Sequence, residues 1–395
     1  MKILMIAPAC YPVNGAEAIV NFKLLTTLLN NGLEVDVVSK NYKGKHYPSD
    51  SKNEDLLDVT KIHVVEVDNK VNIKTLSATI MCIPKFGVTF KGAHWAYAAL
   101  PIVERLVKEN HYDYVVTKNA PSFLLGNYLK KKYGLQWVAS WNDPYPREKY
   151  PKPYGYGWDY TSFPVNQQVR IMRNADIHIF PNVRLKNWMQ MYLLVQENKT
   201  MIVPHVMVKQ PSDRPQYEET LRLIHSGNLT KPRDPEPLIR ALYAILSNGP
   251  SIKIELSILG VVDERTKILI HELNLEDRIH LLGNTSYQES INLLSKYHVA
   301  VIVEANCPEG IFLPTKVADF MGVDIPIMSL SPRVGILNDL YKEHKISYFA
   351  DISNEDDIRA CLLEVYNDFK NKSLKVGEPV VEYTPQQIAR QYKSL

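Results

Sequence analysis

The sequence predicts an α/β protein made of two tandem Rossmann-like, doubly wound domains that face each other across a cleft. Apolar runs of strand length alternate with amphipathic segments of helix length along most of the chain. A segment rich in proline and polar residues, at positions 201–220, interrupts this alternation and is typical of a linker. The length of 395 residues suits two or three domains.

The first domain is predicted over residues 1–205. It opens with an apolar strand (KILMIAPA), an amphipathic helix that ends at a glycine, and a second strand (LEVDVVSK), which form a β-α-β unit. The pattern resumes with a strand at 112–118, and helices and strands alternate again as far as residue 181. Parallel sheets of this kind bind ligands at the carboxyl ends of their strands, so we expect the site there.

The second domain is predicted over residues 206–375. It begins with the strand and turn LRLIHSGNL and runs through alternating helices and strands to IPIMSLS. Residues 376–395 end in YTPQQIARQYKSL, a helix with a polar start.

Charge and cysteine content narrow the class of protein. Residues 1–200 hold 25 Lys/Arg against 17 Asp/Glu, so the first half is basic and could meet an anionic membrane or an acidic ligand, although such a shift also arises by chance. No basic arm for nucleic acid is present. The four cysteines are far apart without a C-x-x-C pair, which disfavours zinc and disulfides and favours a cytoplasmic location. We expect neither a signal peptide nor a membrane span.

The loop after the first strand, PACYPVNGAE, points to anion binding. It lacks both the dinucleotide glycine pattern and the P-loop pattern, which disfavours an NAD-dependent enzyme and an ATP-cleaving enzyme. Gly15 precedes a helix N-terminus, where free N–H groups favour a diphosphate. The alternative is that Gly15 only makes a turn.

In the second domain, the strand HVAVIVE leads into a loop with Glu309 and a helix bearing Asp319. Here the chain resembles the family 4 glycosyltransferases, retaining enzymes of the two-domain B-type (GT-B) fold that use nucleotide-diphosphate sugars. The matching segments, in order, are KILMIAPACYPVNGAEAIVNFKLLTTLLNNGLEVDVVS, VPHVM, HSGNLTKPRDPEPLIRAL, ILGVVDERTKILIHELNLEDRIHLLGNTSYQESINLLSKYHVAVIV and EGIFLPTKVADFMGVDIPIM. The resemblance implies that the C-terminal helix crosses back to the N-terminal domain.

The chain also departs from the family pattern. The family's glycine pair is Asn14-Gly15 here, and its two glutamates correspond to Glu309 and Asp319, which are separated by nine residues rather than seven. We align Asp319 with the second acid because P-T-K-x-x-D resembles a subgroup's version of the signature. Glu304 is the alternative to Glu309.

The resemblance implies a donor site. A departing sugar diphosphate needs cations and N–H donors, and the candidates are Arg233 with Lys231, after the Gly227-Asn228 turn. Lys316 reaches the phosphates or is an exposed helix lysine. Asp319 would bind the ribose hydroxyls and Glu309 the donor sugar; the alternatives are a surface acid and a helix cap. The phosphate cradle is completed by Gly15 and by the backbone N–H groups of Gly310, Ile311, Phe312 and Leu313.

The resemblance implies front-face substitution, so no nucleophile is assigned. Asp143 and His205 are the candidates for orienting the acceptor or handling its proton, although a buried histidine near a linker is more often structural. The loop 141–164 has eight aromatic residues and five prolines, and we expect it to line the acceptor pocket through Tyr145 or Trp158, unless it is a structural wrap. No catalytic metal and no cofactor are expected.

Residues 73–107 suggest contact with a membrane. Lysines and aromatic residues among apolar neighbours could dock on an anionic leaflet, although a core helix with extended lysines explains them nearly as well; the residues are Lys74, Lys85, Phe86, Phe90, Lys91 and Trp95.

These inferences predict a cytoplasmic hexosyltransferase that retains anomeric configuration. It would transfer a sugar from a nucleotide-diphosphate sugar to a glycan or lipid-linked acceptor in surface polysaccharide assembly, at the inner face of the membrane and without nucleic acid. The alternatives are a nucleotide-sugar epimerase or hydrolase of the same fold, and a non-catalytic bilobal sugar-binding protein.

Overall fold

The computed structural model describes residues 1–12, 15–44, 61–209, 215–249 and 251–395. These residues form two compact units. The first unit comprises Met1–Pro151, Gly155–Val206 and Glu382–Leu395, and the second comprises Lys152–Tyr154 and Met207–Val381.

The first unit is built on a parallel sheet in the order β3-β2-β1-β4-β5-β6-β7. Its central strands are almost entirely buried and apolar, as expected of a parallel sheet covered on both faces. The strands are β1 Lys2–Ile6, β2 Glu34–Tyr42, β3 Ile62–Val67, β4 Tyr114–Lys118, β5 Gln136–Ser140, β6 Ile177–Phe180 and β7 Thr200–Ile202.

Helices connect these strands. The helix N-termini follow from local sequence: the Asn72 and Asn182 side chains each accept a hydrogen bond from a backbone N–H in the first turn. The helices are α1 Ala16–Asn30, α2 Ile73–Phe86, α3 His94–Glu109, α4 Ser122–Tyr133, α5 Phe163–Met172, α6 Val183–Leu193 and the C-terminal α13 Pro385–Lys393.

The C-terminal helix α13 belongs to the first unit. It packs against α1 and buries Ile388, Ala389 and Tyr392. The hydroxyl of Tyr114 on β4 donates a 2.7 Å hydrogen bond to the backbone carbonyl of Tyr392. This helix therefore completes the packing of the N-terminal sheet, although nearly two hundred residues of sequence separate it from the last strand of that sheet.

The second unit is built on a parallel sheet in the order β10-β9-β8-β11-β12-β13. Its strands are β8 Leu221–Ser226, β9 Ile254–Leu259, β10 Ile279–Gly283, β11 Val299–Val303, β12 Ile327–Ser331 and β13 Tyr348–Asp351. Its helices are α7 Glu236–Asn248, α8 Glu264–Glu272, α9 Tyr287–Leu294, α10 Lys316–Gly322, α11 Ile336–Lys342 and α12 Glu355–Lys370. One apolar core joins β8, β9 and β11 to α7 and α12.

The predicted α/β class with two doubly wound domains is confirmed. The predicted linker at 201–220 is wrong at its start, because Met201 and Ile202 lie in the edge strand β7 and Val203, His205 and Met207 are buried. The boundary between the two units, after Val206, does lie inside the predicted segment.

Candidate functional site

Each sheet has one point where its strand order reverses. In the first sheet β1 and β4 are neighbours, and in the second β8 and β11 are neighbours, with the chain winding outward in opposite directions from each pair. At such a point the loops after the two strands diverge and leave a crevice at the carboxyl edge of the sheet. A cluster of polar side chains occupies this position in each unit.

In the second unit, Lys316 and His225 meet at the crevice. His225, the residue before the last of β8, is fully buried. Its Nδ1–H donates to the carbonyl of Val301 at 3.0 Å, which leaves Nε2 as the nitrogen with the lone pair. Lys316 Nζ lies 3.2 Å from that Nε2. Burial, and then the charge of Arg233, lower the pKa of Lys316 to about 7. Burial and Lys316 hold the pKa of His225 well below its usual range.

Arg233 carries the second cationic group of this cluster. Its Nε lies 3.2 Å from Oε1 of Glu304, whose side chain is only 8% exposed at the end of β11. The hydroxyl of Tyr154 is 3.5 Å from the other carboxylate oxygen. The Tyr154 ring packs edge-on against Phe312, with centroids 4.8 Å apart. Glu304 is therefore a carboxylate that contacts the predicted phosphate-binding arginine. The predicted contact of Glu309, or of its alternative Glu304, with the donor sugar stays a prediction.

Glycines keep this crevice open. Gly227 has φ +124°, and a Cβ there would lie 2.8 Å from Lys316 Nζ. A Cβ on Gly260 would lie 2.5 Å from the carbonyl oxygen of Gly227. The Asn228 side chain accepts a 2.9 Å hydrogen bond from the Val261 N–H and joins the two loops. A side chain at either glycine would displace the lysine or the neighbouring backbone.

The remaining donor-site candidates lie around this cluster. The Gly310 N–H donates to the Val334 carbonyl at 2.8 Å, and its predicted place in a phosphate cradle stays a prediction. Asp319 accepts a 2.7 Å hydrogen bond from the Tyr287 hydroxyl. Lys231 is exposed.

Glu309 lies on the loop after β11 and is half-buried, and the neighbouring Ile311 and Leu313 are buried while Phe312 is half-buried. These positions follow Glu304 closely along the chain. Their predicted donor contacts stay predictions.

In the first unit, Glu17 and Asn119 meet at the crevice between β1 and β4. Asn119 follows β4 in a left-handed conformation, φ 54°, and its amide donates a 2.8 Å hydrogen bond to Glu17 Oε1. The oxygen of the same side-chain amide, Oδ1 of Asn119, accepts a 3.1 Å hydrogen bond from the backbone N–H of Asn142. Glu17 begins α1 immediately after the predicted anion loop. One asparagine thereby ties together the loops after β1, β4 and β5.

Burial sets the protonation of this cluster. It raises the pKa of Glu17 to about 7, opposed by the hydrogen bond from Asn119 and aided by the nearby charge of Asp143. It lowers the pKa of Lys118 to about 8, opposed by the charge of Glu17. Lys118 Nζ also donates to Ser140 Oγ at 2.8 Å. A carboxyl with a pKa near 7 can take up or release a proton at neutral pH.

The predicted residues Gly15, Asp143 and His205 belong to this unit. Gly15 precedes α1 with φ +149°, a conformation that favours glycine; Asn14 lies outside the described residues. Asp143 is half-buried and accepts a hydrogen bond from Tyr150. His205 is buried and faces a cavity of about 20 Å³, large enough for a water molecule, that is also lined by Lys118, Ser140, Asn142 and Tyr392.

The aromatic loop divides into a packed part and an exposed part. The Tyr145 ring lies 5.5 Å from that of Phe123 and stacks at 6.4 Å on Trp141, so Tyr145 belongs to an internal aromatic cluster. Trp158 is 45% exposed and Phe163 is 75% exposed. Of the two predicted acceptor contacts, Trp158 alone presents a substantial free face.

The predicted membrane-contact residues are partly wrong. Phe86 and Trp95 are buried, and Phe90 stacks on Phe123 with ring centroids 5.7 Å apart. These aromatic side chains hold α2 and α3 onto the domain. Lys74, Lys85 and Lys91 are exposed as predicted.

Several members of the two clusters were absent from the sequence-based candidates: Glu17, Lys118, Asn119, His225 and Tyr154. Lys118 is the last residue of a buried strand and His225 the residue before the last of another, and a charged or titratable residue is uncommon in such strands. That exception to the apolar pattern was the available signal. Nothing in the sequence indicated that Tyr154 would contact Glu304.

Two features of the described residues bear on cofactors and membranes. No group of three or more His, Cys, Asp or Glu side chains among them is arranged to hold a metal ion. No helix among them combines the length and apolar character that crossing a bilayer requires.

Comparison with known proteins identifies the fold. Among solved structures, sucrose-phosphate synthase from Thermosynechococcus elongatus matches this chain with 13% identity and a TM-score of 0.69. The match covers 100% of this chain and 97% of that one. The lipopolysaccharide outer core galactosyltransferase WaaB matches with 14% identity and a TM-score of 0.60 over 100% of both chains. This chain has the GT-B fold. The two parallel sheets described above, one in each unit, form the core of this fold in the present chain.

Sequence comparison finds a relative that is named as a glycosyltransferase. The chain is 24% identical over 272 residues to the uncharacterized glycosyltransferase MJ1059 of Methanocaldococcus jannaschii, a match that covers 65% of this chain. It spans 64% of the length of that relative. No protein-family model matches the chain.

Proposed function

We propose that this protein is a glycosyltransferase that moves a sugar from a nucleotide-diphosphate sugar to a glycan or lipid-linked acceptor, with retention of anomeric configuration. The observation that carries the proposal is the presence of two cationic side chains at the β8/β11 crevice. Lys316 contacts His225, Arg233 contacts Glu304, and the two cations are close enough that the charge of Arg233 helps to lower the pKa of Lys316. Two cationic side chains beside a glycine-lined opening match the charge and the space that a diphosphate requires. The GT-B fold and the relative named above as a glycosyltransferase support the same class.

The donor chemistry follows from the charges of this cluster. When the glycosidic bond to the diphosphate breaks, negative charge develops on the leaving phosphate. Arg233 and protonated Lys316 would stabilise that charge, while Glu304 and Tyr154 hold the Arg233 side chain in place. Asp319 and Glu309 remain our proposed contacts to the ribose and the donor sugar.

Retention is proposed through front-face substitution. The described carboxylates of this cluster have partners, since Glu304 pairs with Arg233 and Asp319 accepts from Tyr287. Neither is therefore well placed to act as a free nucleophile. In this mechanism the leaving phosphate takes the acceptor proton, and no metal or cofactor is needed.

The first unit would bind the acceptor. Its crevice offers Glu17, Asp143 and Lys118, which can exchange hydrogen bonds with acceptor hydroxyls. The exposed ring of Trp158 offers an apolar face for a sugar ring. We propose that the acceptor belongs to surface polysaccharide assembly and that the reaction takes place in the cytoplasm; the free state of all four cysteines supports a reducing compartment.

The proposal is tested by product analysis. The protein is incubated with each of a panel of UDP-, GDP-, ADP- and dTDP-sugars and a mixture of glycan and lipid-linked acceptors, and the products are read by mass spectrometry and proton NMR. A new glycoside with the anomeric configuration of the donor supports the proposal. Inversion contradicts retention, release of free or epimerised sugar favours a hydrolase or epimerase, and binding without turnover favours a sugar-binding protein.

The matched variants are Arg233→Ala and Lys316→Met against Arg240→Ala and Lys342→Ala. Arg240 forms an exposed i, i+4 ion pair with Glu236, and Lys342 is an exposed residue at the end of α11. Both controls remove one positive charge without touching the crevice. Loss of transfer in the first pair alone would locate the donor diphosphate at the proposed position.

A further inference from the structure

Helix α2 presents an apolar face to solvent. It is attached to the first unit through buried Cys82 and Phe86, and the Cys82 thiol donates to the Ala93 carbonyl at 3.3 Å. On the outer side of this segment six large apolar side chains are each at least 43% exposed. They are Val71, Ile73, Leu76, Ile80, Met81 and Ile83.

The spacing of these residues makes one continuous surface. Ile73, Leu76, Ile80 and Ile83 recur every three or four residues, so they lie along one side of the helix. A contiguous apolar stripe of this size on a water-soluble surface usually marks a binding face. We call these four residues, with Val71 and Met81, the α2 surface.

The charges around the α2 surface are mostly positive. Residues 69–103 contain Lys70, Lys74, Lys85 and Lys91 and no Asp or Glu, and all four lysines are exposed. Asp68, at the N-terminal end of the surface, accepts a hydrogen bond from Asn72 and lies 3.6 Å from Lys43 Nζ. An apolar helix face bordered mainly by lysines complements a layer in which apolar chains lie below anionic headgroups.

We propose that the α2 surface docks on the anionic headgroup layer of a lipid bilayer, with its apolar side chains inserted and its lysines at the phosphates. The apolar residues would leave water, and each lysine would gain the attraction of the negative surface. The helix lies in the plane of the membrane in this arrangement, since its 14 residues are too few to cross it. This inference does not depend on the proposed sugar transfer.

A second copy of the chain fits the surface less well. In a symmetric dimer through α2, the same patch would face itself. The lysines bordering one patch would then approach those of the other, with no carboxylate between residues 69 and 103 to compensate.

Vesicle co-sedimentation tests the proposal with the full chain. We use phosphatidylcholine vesicles and matched vesicles containing about 30% phosphatidylglycerol, each at low and at high salt. The expected result is binding to the anionic vesicles that weakens with salt, because exposed charges are screened. Binding at least about tenfold weaker is expected for neutral vesicles, given four lysines at the surface.

The test variant is Leu76→Ser/Ile80→Ser, and its matched control is Ile268→Ser/Val376→Ser. The paired positions have similar exposure, 54% and 55% against 52% and 45%, so neither change removes a core contact. We expect at least about tenfold weaker vesicle binding for the test variant and no change for the control. Lys70→Glu/Lys74→Glu should lose the preference for anionic vesicles.

Three outcomes would overturn the proposal: no vesicle binding by the wild type, equal loss in the control variant, or a dimer in light scattering that the Leu76→Ser/Ile80→Ser change dissolves. The last would make a second copy the occupant. Unchanged thermal midpoints and nucleotide binding in all variants show that the fold and the donor cluster are intact. A failure here is therefore distinct from a failure of the proposed activity.

Discussion

Nζ of Lys316 lies 3.2 Å from Nε2 of His225, at the point where the second sheet reverses its strand order. Two buried basic groups at this distance do not both carry a positive charge, because burial disfavours each charge and the two charges would repel each other. His225 is neutral, with its Nδ1–H donated to Val301. Lys316 therefore holds the proton that matters for anion binding, and its pKa near 7 makes that proton sensitive to pH.

Nucleoside diphosphate affinity should fall as the pH rises from 7 to 9. Above pH 7 the free protein has lost the Lys316 proton and must take it up again to bind the anion. The protonated fraction of Lys316 falls from about one half at pH 7 to about one hundredth at pH 9, so the affinity should weaken by up to about fiftyfold, and binding should take up a proton from the buffer. Calorimetry in buffers of different ionisation enthalpy measures both. Lys316→Met should bind weakly and without this pH dependence; a pH-independent wild type would contradict the assignment.

Arg233→Ala should reduce both stability and nucleotide affinity. It leaves the buried Glu304 carboxylate without its cation, and the half-exposed position of Arg233 limits the cost to about 1–2 kcal/mol. The control Arg240→Ala breaks an exposed pair and should cost less than about 0.5 kcal/mol. Urea unfolding and nucleotide titration of both variants decide. Equal small effects in the two variants would show that the Arg233–Glu304 pair has no special role.

Gly227→Ala should separate stability from binding. The new Cβ would lie 2.8 Å from Lys316 Nζ, which is the flexible end of a side chain and can move away. We expect about 1 kcal/mol of destabilisation from the positive φ, with at least about tenfold weaker nucleotide binding because the lysine is displaced. Gly32→Ala has φ +79° and open space around the new Cβ, so it should show the strain alone. Intact binding in Gly227→Ala would argue against Lys316 as a ligand group.

Glu17→Gln should change how stability depends on pH. The pKa of Glu17 is raised on folding from 4.5 to about 7, so the folded protein holds a proton that the unfolded chain releases between these values. The stability of the wild type therefore carries a contribution that is present below pH 4.5 and is lost as the pH rises to 7. Glutamine does not ionise, so the stability of the Glu17→Gln variant does not fall in this way as the pH rises.

At pH 8 the Glu17→Gln variant should be more stable than the wild type by up to about 3 kcal/mol, and this difference should disappear below pH 4.5. Denaturant unfolding at several pH values measures it. Glu109→Gln, at an exposed position at the end of α3, is the control and should follow the wild type. A constant difference across the pH range would mean that Glu17 is not held in its protonated form.

Much of the fold was predictable because its strands are buried on both faces and therefore read as short apolar runs, such as KILMI in β1 and VAVIV in β11. The order of those strands was not predictable from periodicity. Neither was β7, whose three residues carry little pattern. The first unit's C-terminal helix was placed by resemblance, since no local feature of residues 385–393 shows where they pack.

The candidate site was predictable only in part. Arg233 and Lys316 were identified from their motifs, and the structure brings both to one cluster. The contact between Arg233 and Glu304 joins residues 71 positions apart in the sequence, a relationship that motif spacing does not contain. Glu17 escaped notice because its burial depends on Asn119, more than 100 residues away.

The most direct measurement is a thermal-shift and calorimetric screen of the purified protein against UDP, GDP, ADP and dTDP and their sugars. A ligand that binds only the folded state raises the melting temperature. We predict a selective shift with one nucleotide and its sugar, lost in Arg233→Ala and Lys316→Met and kept in Arg240→Ala. The absence of a shift with every nucleotide, or a shift that survives in both crevice variants, would contradict a donor site at the β8/β11 crevice.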